Sequence, residues 1–413
     1  MIGFERFELP NGLRVLVHED KSTPLAAFNL MYDVGSRDES PEKTGFAHLF
    51  EHLMFGGSVN VPDFDRELQT VGGENNAFTS NDITNYYCTV PSENLETAFW
   101  LDSDRMLELD FSEHSLDVQR QVVIEEFRQR YLNQPYGDVW LILRPEAFHI
   151  HPYRWPTIGR SIEHIQCAGI EDVKSFFYRF YAPNNAVLSI TGNVDTKHVL
   201  ALAEKWFGPI GRRDISKREL PQEPPQTEER NIDITRKVPT DAIYKVFHMD
   251  GLYTRGFYHG DILSDILASG KSARLFQNLI KEKQLFSEIN AYITGDADPG
   301  LFVVYGKPMP GVSLDDADKA IRVELNRLSG QLLPDQELQK LKNKFESTFI
   351  LNHTNILNKA IHLCRHELVD NADNLNHEIE TYHSITADEI RNAAGLIFKP
   401  TNCTTLYYHK ENT

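Results

Sequence analysis

The stretch LAAFNLMYDVG, residues 25–35, is an apolar run that ends at a glycine, which predicts a β-strand followed by a turn. A second run of this kind, DAIYKVFHMDG, covers residues 241–251. In the first half a helix follows, then NNAFTSNDITNYYCTVP and a helix beginning near Glu93. In the second half a helix through DILSDILASG follows, then EINAYITGDADPGLFVVYGKP and a helix after GVSLDDADKA. The same order of elements twice predicts an internal duplication.

Alternating strands joined by turns, with helices between them, predict an α+β fold in which helices cover a mostly antiparallel sheet. The segment GPIGRRDISKRELPQEPPQTEERNIDI, residues 208–234, replaces apolar periodicity with prolines and charges, as linkers do. We therefore predict an N-terminal domain over residues 1–212, a linker over 213–230 and a C-terminal domain of the same fold over 231–413. Two such domains facing each other would leave a cleft.

The composition of the 413 residues excludes some classes of partner. With 42 basic and 60 acidic side chains, the formal net charge of −18 argues against nucleic acid or an anionic membrane. The N-terminal residues do not resemble a signal peptide, and no apolar run is long enough to span a bilayer. The four cysteines lack CxxC spacing. We expect a cytoplasmic protein with reduced thiols.

The stretch GFAHLFEHLMFGG, residues 45–57, has the composition of a metal site. Its HxxEH pattern, His48, Glu51 and His52, places three side chains on one face of a helix, because these positions are i, i+3 and i+4. Both imidazoles can then reach one cation, with the glutamate beside it, and HxxEH is a zinc hydrolase motif. Thr44 is predicted to cap the start of this helix and Gly56 to end it.

Two histidines do not complete a catalytic zinc site, which usually has three protein ligands. A candidate for the third lies in the helical run SLDVQRQVVIEEFRQRYLNQP. In this run Val118, Val122 and Phe127 are predicted to face a core, whereas Glu125 and Glu126 cannot both do so. Periodicity predicts that one of these glutamates turns toward the metal, and it leaves both as candidates.

Four motifs in order, HLFEHLMFGGS, VGGENNAFTSNDITNYY, VVIEEFRQR and HPYRWPTIG, resemble the M16 metallopeptidases, the group of pitrilysin, insulin-degrading enzyme and mitochondrial processing peptidase. The resemblance covers nearly the whole chain. The half-length chain is similar to the subfamily in which two such chains close into a clamshell. The resemblance implies one zinc per chain, held by His48, His52 and Glu126, with Glu125 as the alternative third ligand.

The resemblance also implies an activity, that of a zinc-dependent endopeptidase acting on peptides or unfolded segments inside a closed chamber. Glu51 would be the general base on a zinc-bound water. The strand GGENNAFTSND resembles the one that pairs with substrate, which implies contacts from Asn76, Ala77, Phe78 and Thr79. The alternative function is that of a non-catalytic scaffold or core subunit in an M16-like heteromeric assembly.

The sequence departs from the family at two places. Gln119 stands where the family often has a further glutamate, seven residues before the third ligand, and a glutamine there can form hydrogen bonds but cannot exchange protons. The family's arginine and tyrosine, seven residues apart, are replaced by Ile280 and Ser287, and sliding the alignment by one gives Lys281 and Glu288. We expect a second M16-like chain to supply this pair, with a homodimer as the alternative assembly.

Overall fold

The computed structural model describes residues 1–215 and 218–411. The strands are β1 (Glu5–Glu8), β2 (Arg14–Glu19), β3 (Leu25–Tyr32), β4 (Glu74–Thr79), β5 (Thr84–Pro91), β6 (Ala186–Gly192), β7 (Arg230–Arg236), β8 (Ala242–Met249), β9 (Phe286–Ile293), β10 (Gly300–Pro308) and β11 (Cys403–Lys410). The α-helices are α1 (Phe46–Leu53), α2 (Phe64–Thr70), α3 (Leu95–Leu107), α4 (Glu113–Phe127), α5 (Val139–Ala147), α6 (Ile162–Gln166), α7 (Ile170–Phe180), α8 (Thr196–Trp206), α9 (Arg255–Ala268), α10 (Leu314–Gly330), α11 (Asp335–Asn352), α12 (Ile356–Val369), α13 (Glu378–Ser384) and α14 (Ala387–Ile397).

The strands form two sheets of matching topology. The first has the order β1-β2-β6-β3-β5-β4, and the second has the order β7-β11-β8-β10-β9. In the first sheet β2 and β6 are parallel and the other neighbours antiparallel. In the second sheet β7 and β11 are the parallel pair, and the others are antiparallel. The two mostly antiparallel sheets with helices confirm the predicted fold class, and β1 is an addition to the first copy.

The chain forms two compact units, and each takes a segment from the other half of the sequence. Residues 350–377 belong to the first unit, and residues 133–150 belong to the second. The units are therefore not the contiguous domains 1–212 and 231–413 that the linker composition predicts.

Packing explains this exchange of segments. In the first unit α12 contacts β3 and β6, and its Cys364 is fully buried with Sγ 3.5 Å from the carbonyl oxygen of Val187. In the second unit α5 contacts β8 and β11, and the ring of His248 bonds to the carbonyl oxygen of Ala147 at 2.8 Å. Each helix covers sheet surface that would otherwise face water. Among the described residues, no helix has both the length and the hydrophobicity to cross a bilayer.

Candidate metal centre

Helix α1 has one buried face and one polar face. The buried face packs in the first unit, where the Phe50 ring lies 4.9 Å from Phe176 and 5.1 Å from Tyr181. The polar face carries the three motif side chains. Apolar residues alternate with the three motif residues at helical spacing. Burial of the apolar face therefore sets the orientation of the polar face that carries the motif. The buried side chains of α1 are Phe46, Ala47, Leu49, Phe50 and Leu53.

The start of α1 is held by a carboxylate that the sequence analysis did not identify. Gly45 precedes the helix with φ of 90°, and the buried Glu39 accepts hydrogen bonds from the N–H groups of Gly45 and Ala47 at 2.9 and 2.8 Å. The predicted capping role of Thr44 is wrong. Its hydroxyl instead accepts a bond from the N–H of Arg160 at 2.9 Å, because Gly45 directs the chain away from it.

Helix α4 brings a carboxylate to the two imidazoles. Glu126 Oε2 lies 3.7 Å from His48 Nε2 and 3.5 Å from His52 Nε2. One ligand atom from each of the three residues lies within 4.8 Å of the others. The two imidazole rings are 4.9 Å apart and nearly perpendicular. The Nδ1 atom of His48 is buried and has no hydrogen-bond partner among the described residues, so packing of α1 orients this ring.

The neighbouring residues of α4 point elsewhere. Glu125 is exposed, accepts a bond from Gln129 at 3.2 Å and lies 3.7 Å from Arg128. Val118 and Val122 are 44% and 45% exposed, so the prediction that they face a core is wrong. Phe127 is buried, as predicted, but the buried residues of α4 lie on a different face of the helix from Val118 and Val122. They are Leu116, Val123, Ile124 and Phe127.

Burial and local contacts set the charge of each group. Burial lowers the pKa of His48 to about 4, although the carboxylate of Glu126 opposes this. Contact with the His52 imidazole lowers the pKa of Glu126, and burial opposes it. Burial raises the pKa of Glu51, while a 2.6 Å hydrogen bond from the Thr79 hydroxyl works in the other direction. The site therefore combines an uncharged imidazole with an ionised carboxylate at neutral pH.

The three side chains line a cavity of about 510 Å³. All four residues predicted to contact substrate lie on its wall. Gln119 is half-buried and is not a lining residue. The wall consists of His48, Glu51, His52, Asn76, Ala77, Phe78, Thr79, Glu126, Arg130, Tyr131, Thr157 and Ile158.

Strand β4 presents a free edge at this cavity. It is the last strand of its sheet, and among the residues that the structure describes its one pairing partner is β5. The N–H of Ala77 donates to the side-chain oxygen of Asn76 at 2.8 Å. Phe78 is 36% exposed, and its ring lies 6.5 Å from Tyr87. An exposed strand edge of this kind can accept an extended peptide as an additional strand.

Four lining residues were missed by the sequence analysis. Arg130 lies four residues after Glu126, and its Nη1 is 2.9 Å from Glu126 Oε1. Tyr131 follows it, while Thr157 and Ile158 come from the quoted motif HPYRWPTIG. The i, i+4 spacing in EEFRQR was a usable signal for Arg130.

The positions of the missing arginine and tyrosine lie in the second unit. Ile280 packs against the apolar core of that unit, and Ser287 donates to the carbonyl oxygen of Lys307 at 3.0 Å. In the alternative register Glu288 forms an ion pair with Lys307 at 2.8 Å. Neither register supplies a guanidinium with a phenol.

Two family models match the chain and together cover most of it. Residues 14–158 match the insulinase model of peptidase family M16, and residues 169–345 match the peptidase M16 inactive domain. The chain belongs to peptidase family M16.

Similar proteins agree with this membership. Zinc protease PqqE of Helicobacter pylori is 29% identical over 98% of this chain and 92% of its own. The crystal structure of a protease from Helicobacter pylori matches with a TM-score of 0.92 and 27% identity over 99% of this chain and 100% of that one. A peptidase M16 inactive domain from Pseudomonas fluorescens shares the fold, with a TM-score of 0.89 and 14% identity over 100% of this chain and 98% of that one. This M16 chain is thus similar to zinc proteases over nearly its full length.

Proposed function

We propose that this M16 chain is a zinc-dependent endopeptidase that hydrolyses peptides or unfolded polypeptide segments in a closed chamber. The observation that carries the proposal is the meeting of His48, His52 and Glu126 on one cavity wall, with Glu51 beside them. The similarity to proteins named zinc proteases supports it.

The donor set fits zinc. Two imidazole nitrogens and one carboxylate oxygen are common ligands of catalytic zinc, and three protein ligands leave one position open. We infer one zinc per chain. When bound, zinc supplies a Lewis acid that polarises a substrate carbonyl and acidifies water.

The other side chains of the wall then have separate tasks. Glu51 takes a proton from the attacking water and gives it to the leaving amine. The hydroxyl of Thr79 holds the Glu51 carboxylate in place through its 2.6 Å bond. The free edge of β4, at Asn76 and Ala77, pairs with the backbone of an extended substrate. Recognition of backbone rather than side chains favours broad specificity.

A second M16-like chain completes the site under this proposal. The positions that would carry an arginine and a tyrosine hold Ile280 and Ser287 here, so a partner chain supplies the pair. A stabilising donor for a developing oxyanion contributes about 3 kcal/mol to lowering the barrier. The chain alone should therefore be a weak peptidase that a suitable partner activates, and a homodimer would not provide the missing groups.

The test is mass spectrometry of a mixed peptide pool incubated with the zinc-loaded chain, alone and with candidate partner chains. Glu51→Gln is the matched control, because it keeps the size of the side chain and all three metal ligands. Cleavage by wild type and none by Glu51→Gln, with zinc near one per chain in both, is the expected result. Loss of zinc in His52→Ala checks the ligand set.

A different result points to the second function. If wild type holds zinc but cleaves no peptide with any partner, the chain is a non-catalytic subunit of an M16-like assembly, and the peptidase proposal is wrong. Equal cleavage by wild type and Glu51→Gln would exclude Glu51 as the base.

A further inference from the structure

Arg130 lies in a π-helical turn that continues α4. The turn spans Arg128–Leu132, directly after the last α-helical residue, Phe127. Such turns are rare and often occur at functional sites, because the wider turn changes where the following side chains point. Arg130 is on the cavity wall, whereas Arg128 in the same turn is not a lining residue.

The two oxygens of Glu126 face different partners. Oε2 faces both imidazoles, at 3.7 and 3.5 Å from the Nε2 atoms of His48 and His52. Oε1 lies 2.9 Å from Nη1 of Arg130. A hydrogen bond between two ionised groups is roughly twice as strong as a neutral one, so this contact restricts rotation of the carboxylate.

The orientation of this carboxylate decides how many positions it can fill around a metal. A carboxylate that offers both oxygens takes two coordination positions, whereas one that offers a single oxygen takes one. A catalytic zinc site needs a position left for water and substrate. A guanidinium on Oε1 keeps that oxygen away from the metal.

We propose that Arg130 is a positioning residue that makes Glu126 a one-oxygen zinc ligand and keeps a coordination position open. This inference rests on the zinc site proposed above. It assigns to Arg130 a role that acts through Glu126.

The chain offers a matched control in Arg128. It belongs to the same π-helical turn, is 47% exposed and pairs with Glu125 at 3.7 Å on the outer side. Arg128→Met therefore removes a similar ion pair without touching the cavity. Arg130→Lys keeps the positive charge and loses the planar fork, so it should rescue part of the effect.

The experiment measures metal binding directly, in full-length wild type and the Met and Lys variants. Zinc affinity is obtained by competition with a chromogenic chelator. Arg130→Met should tighten zinc binding severalfold, because Oε1 then becomes a further ligand atom and a positive charge beside the metal is removed. Cobalt replaces zinc as a spectroscopic probe, because four-coordinate cobalt absorbs visible light more strongly than five-coordinate cobalt. Arg130→Met should show weaker cobalt absorption per bound ion, and Arg128→Met should match wild type.

The outcomes separate this inference from the proposed function. If wild type binds zinc and cobalt but Arg130→Met has the same affinity and spectrum, the positioning role is wrong and the peptidase proposal stands. A loss of kcat in Arg130→Met at unchanged zinc affinity and cobalt spectrum would also overturn it. If wild type binds neither metal, the zinc site itself is wrong, and the inference falls with it.

Discussion

Thr79 contributes to the site through the 2.6 Å hydrogen bond that its hydroxyl donates to Glu51. A hydrogen bond to a charged group is worth about 1.5–3 kcal/mol, and the base must be held in one orientation to accept a proton. We expect Thr79→Val to lower kcat roughly tenfold or more, with zinc affinity unchanged. The measurement is steady-state kinetics on a peptide that wild type cleaves, with zinc content as the second readout.

Thr79→Ser keeps the hydroxyl and is the control for this prediction, so its kcat should be close to wild type. Wild-type kcat in Thr79→Val would mean that packing alone orients Glu51.

A second residue, Asp261, contributes to the pH dependence of stability. Burial raises its pKa to about 6, and nearby Asp265 adds to this, although the hydrogen bond from Tyr382 opposes it. Because the folded pKa exceeds the unfolded value of about 3.9, the protonated form favours folding below pH 4, and this stabilisation is lost as pH rises through 6.

Asp261→Asn removes this titration and keeps an oxygen to accept the Tyr382 bond. Relative to wild type, the free energy of unfolding of the variant should therefore rise between pH 4 and pH 7, by about 3 kcal/mol at most. Denaturant titrations of both proteins at pH 4, 5, 6 and 7 provide the test. A difference that stays constant over this range would contradict the assignment to Asp261.

At the scale of elements, the two copies of the duplication use equivalent helix positions differently. The stretch GFAHLFEH, residues 45–52, aligns with GFYHGDIL, residues 256–263, on a shared glycine, phenylalanine and histidine. The glutamate and second histidine of the motif correspond to Ile262 and Leu263, which are 3% and 0% exposed. The second copy uses these positions for packing, so only the first carries the HxxEH pattern.

The entry into α1 depends on Gly45, because its φ of 90° lies in the left-handed region. A Cβ there would also lie 2.5 Å from the carbonyl oxygen of Ile158, on the loop that lines the cavity. Gly45→Ala should therefore destabilise the fold by more than about 2 kcal/mol and weaken zinc binding.

Gly311→Ala is the matched comparison for this substitution, since its φ is 89° and a Cβ there would meet no atom within 4 Å. It reports the backbone strain alone. Denaturant unfolding of both variants measures the difference, and equal destabilisation would show that the close approach to Ile158 carries no cost.

For the whole molecule, zinc should stabilise the first unit specifically. All three proposed ligands lie in this unit. Two are on α1 and one is on α4, and these helices are far apart in sequence. Zinc at 100 times its Kd adds about 2.7 kcal/mol to the free energy of unfolding, which corresponds to a rise in Tm of about 5–10 °C for a unit of this size.

Scanning calorimetry with and without zinc measures this shift, and His52→Ala is the control that should lose it. If calorimetry resolves two unfolding transitions, zinc should raise the Tm of only one of them, that of the first unit. Equal stabilisation of wild type and His52→Ala by zinc would show that the metal binds elsewhere.

The features that the sequence alone determined are those that depend on local geometry. The strand and helix order follows from apolar periodicity, and its repetition predicted two sheets of matching topology. The placement of His48, Glu51 and His52 on one face needs only the 3.6-residue period of a helix. These predictions required no knowledge of which elements contact each other.

Other features were decided only by tertiary structure, because they depend on contacts between residues far apart in the chain. Periodicity left Glu125 and Glu126 equivalent, and only the packing of α4 against α1 turns Glu126 toward the histidines. The exposure of Val118 and Val122, and the capping of α1 by Glu39, follow from the same packing. The exchange of α5 and α12 arises because each helix buries apolar surface on a sheet formed by the other half of the sequence. The residues of the helix itself do not indicate which sheet it will cover.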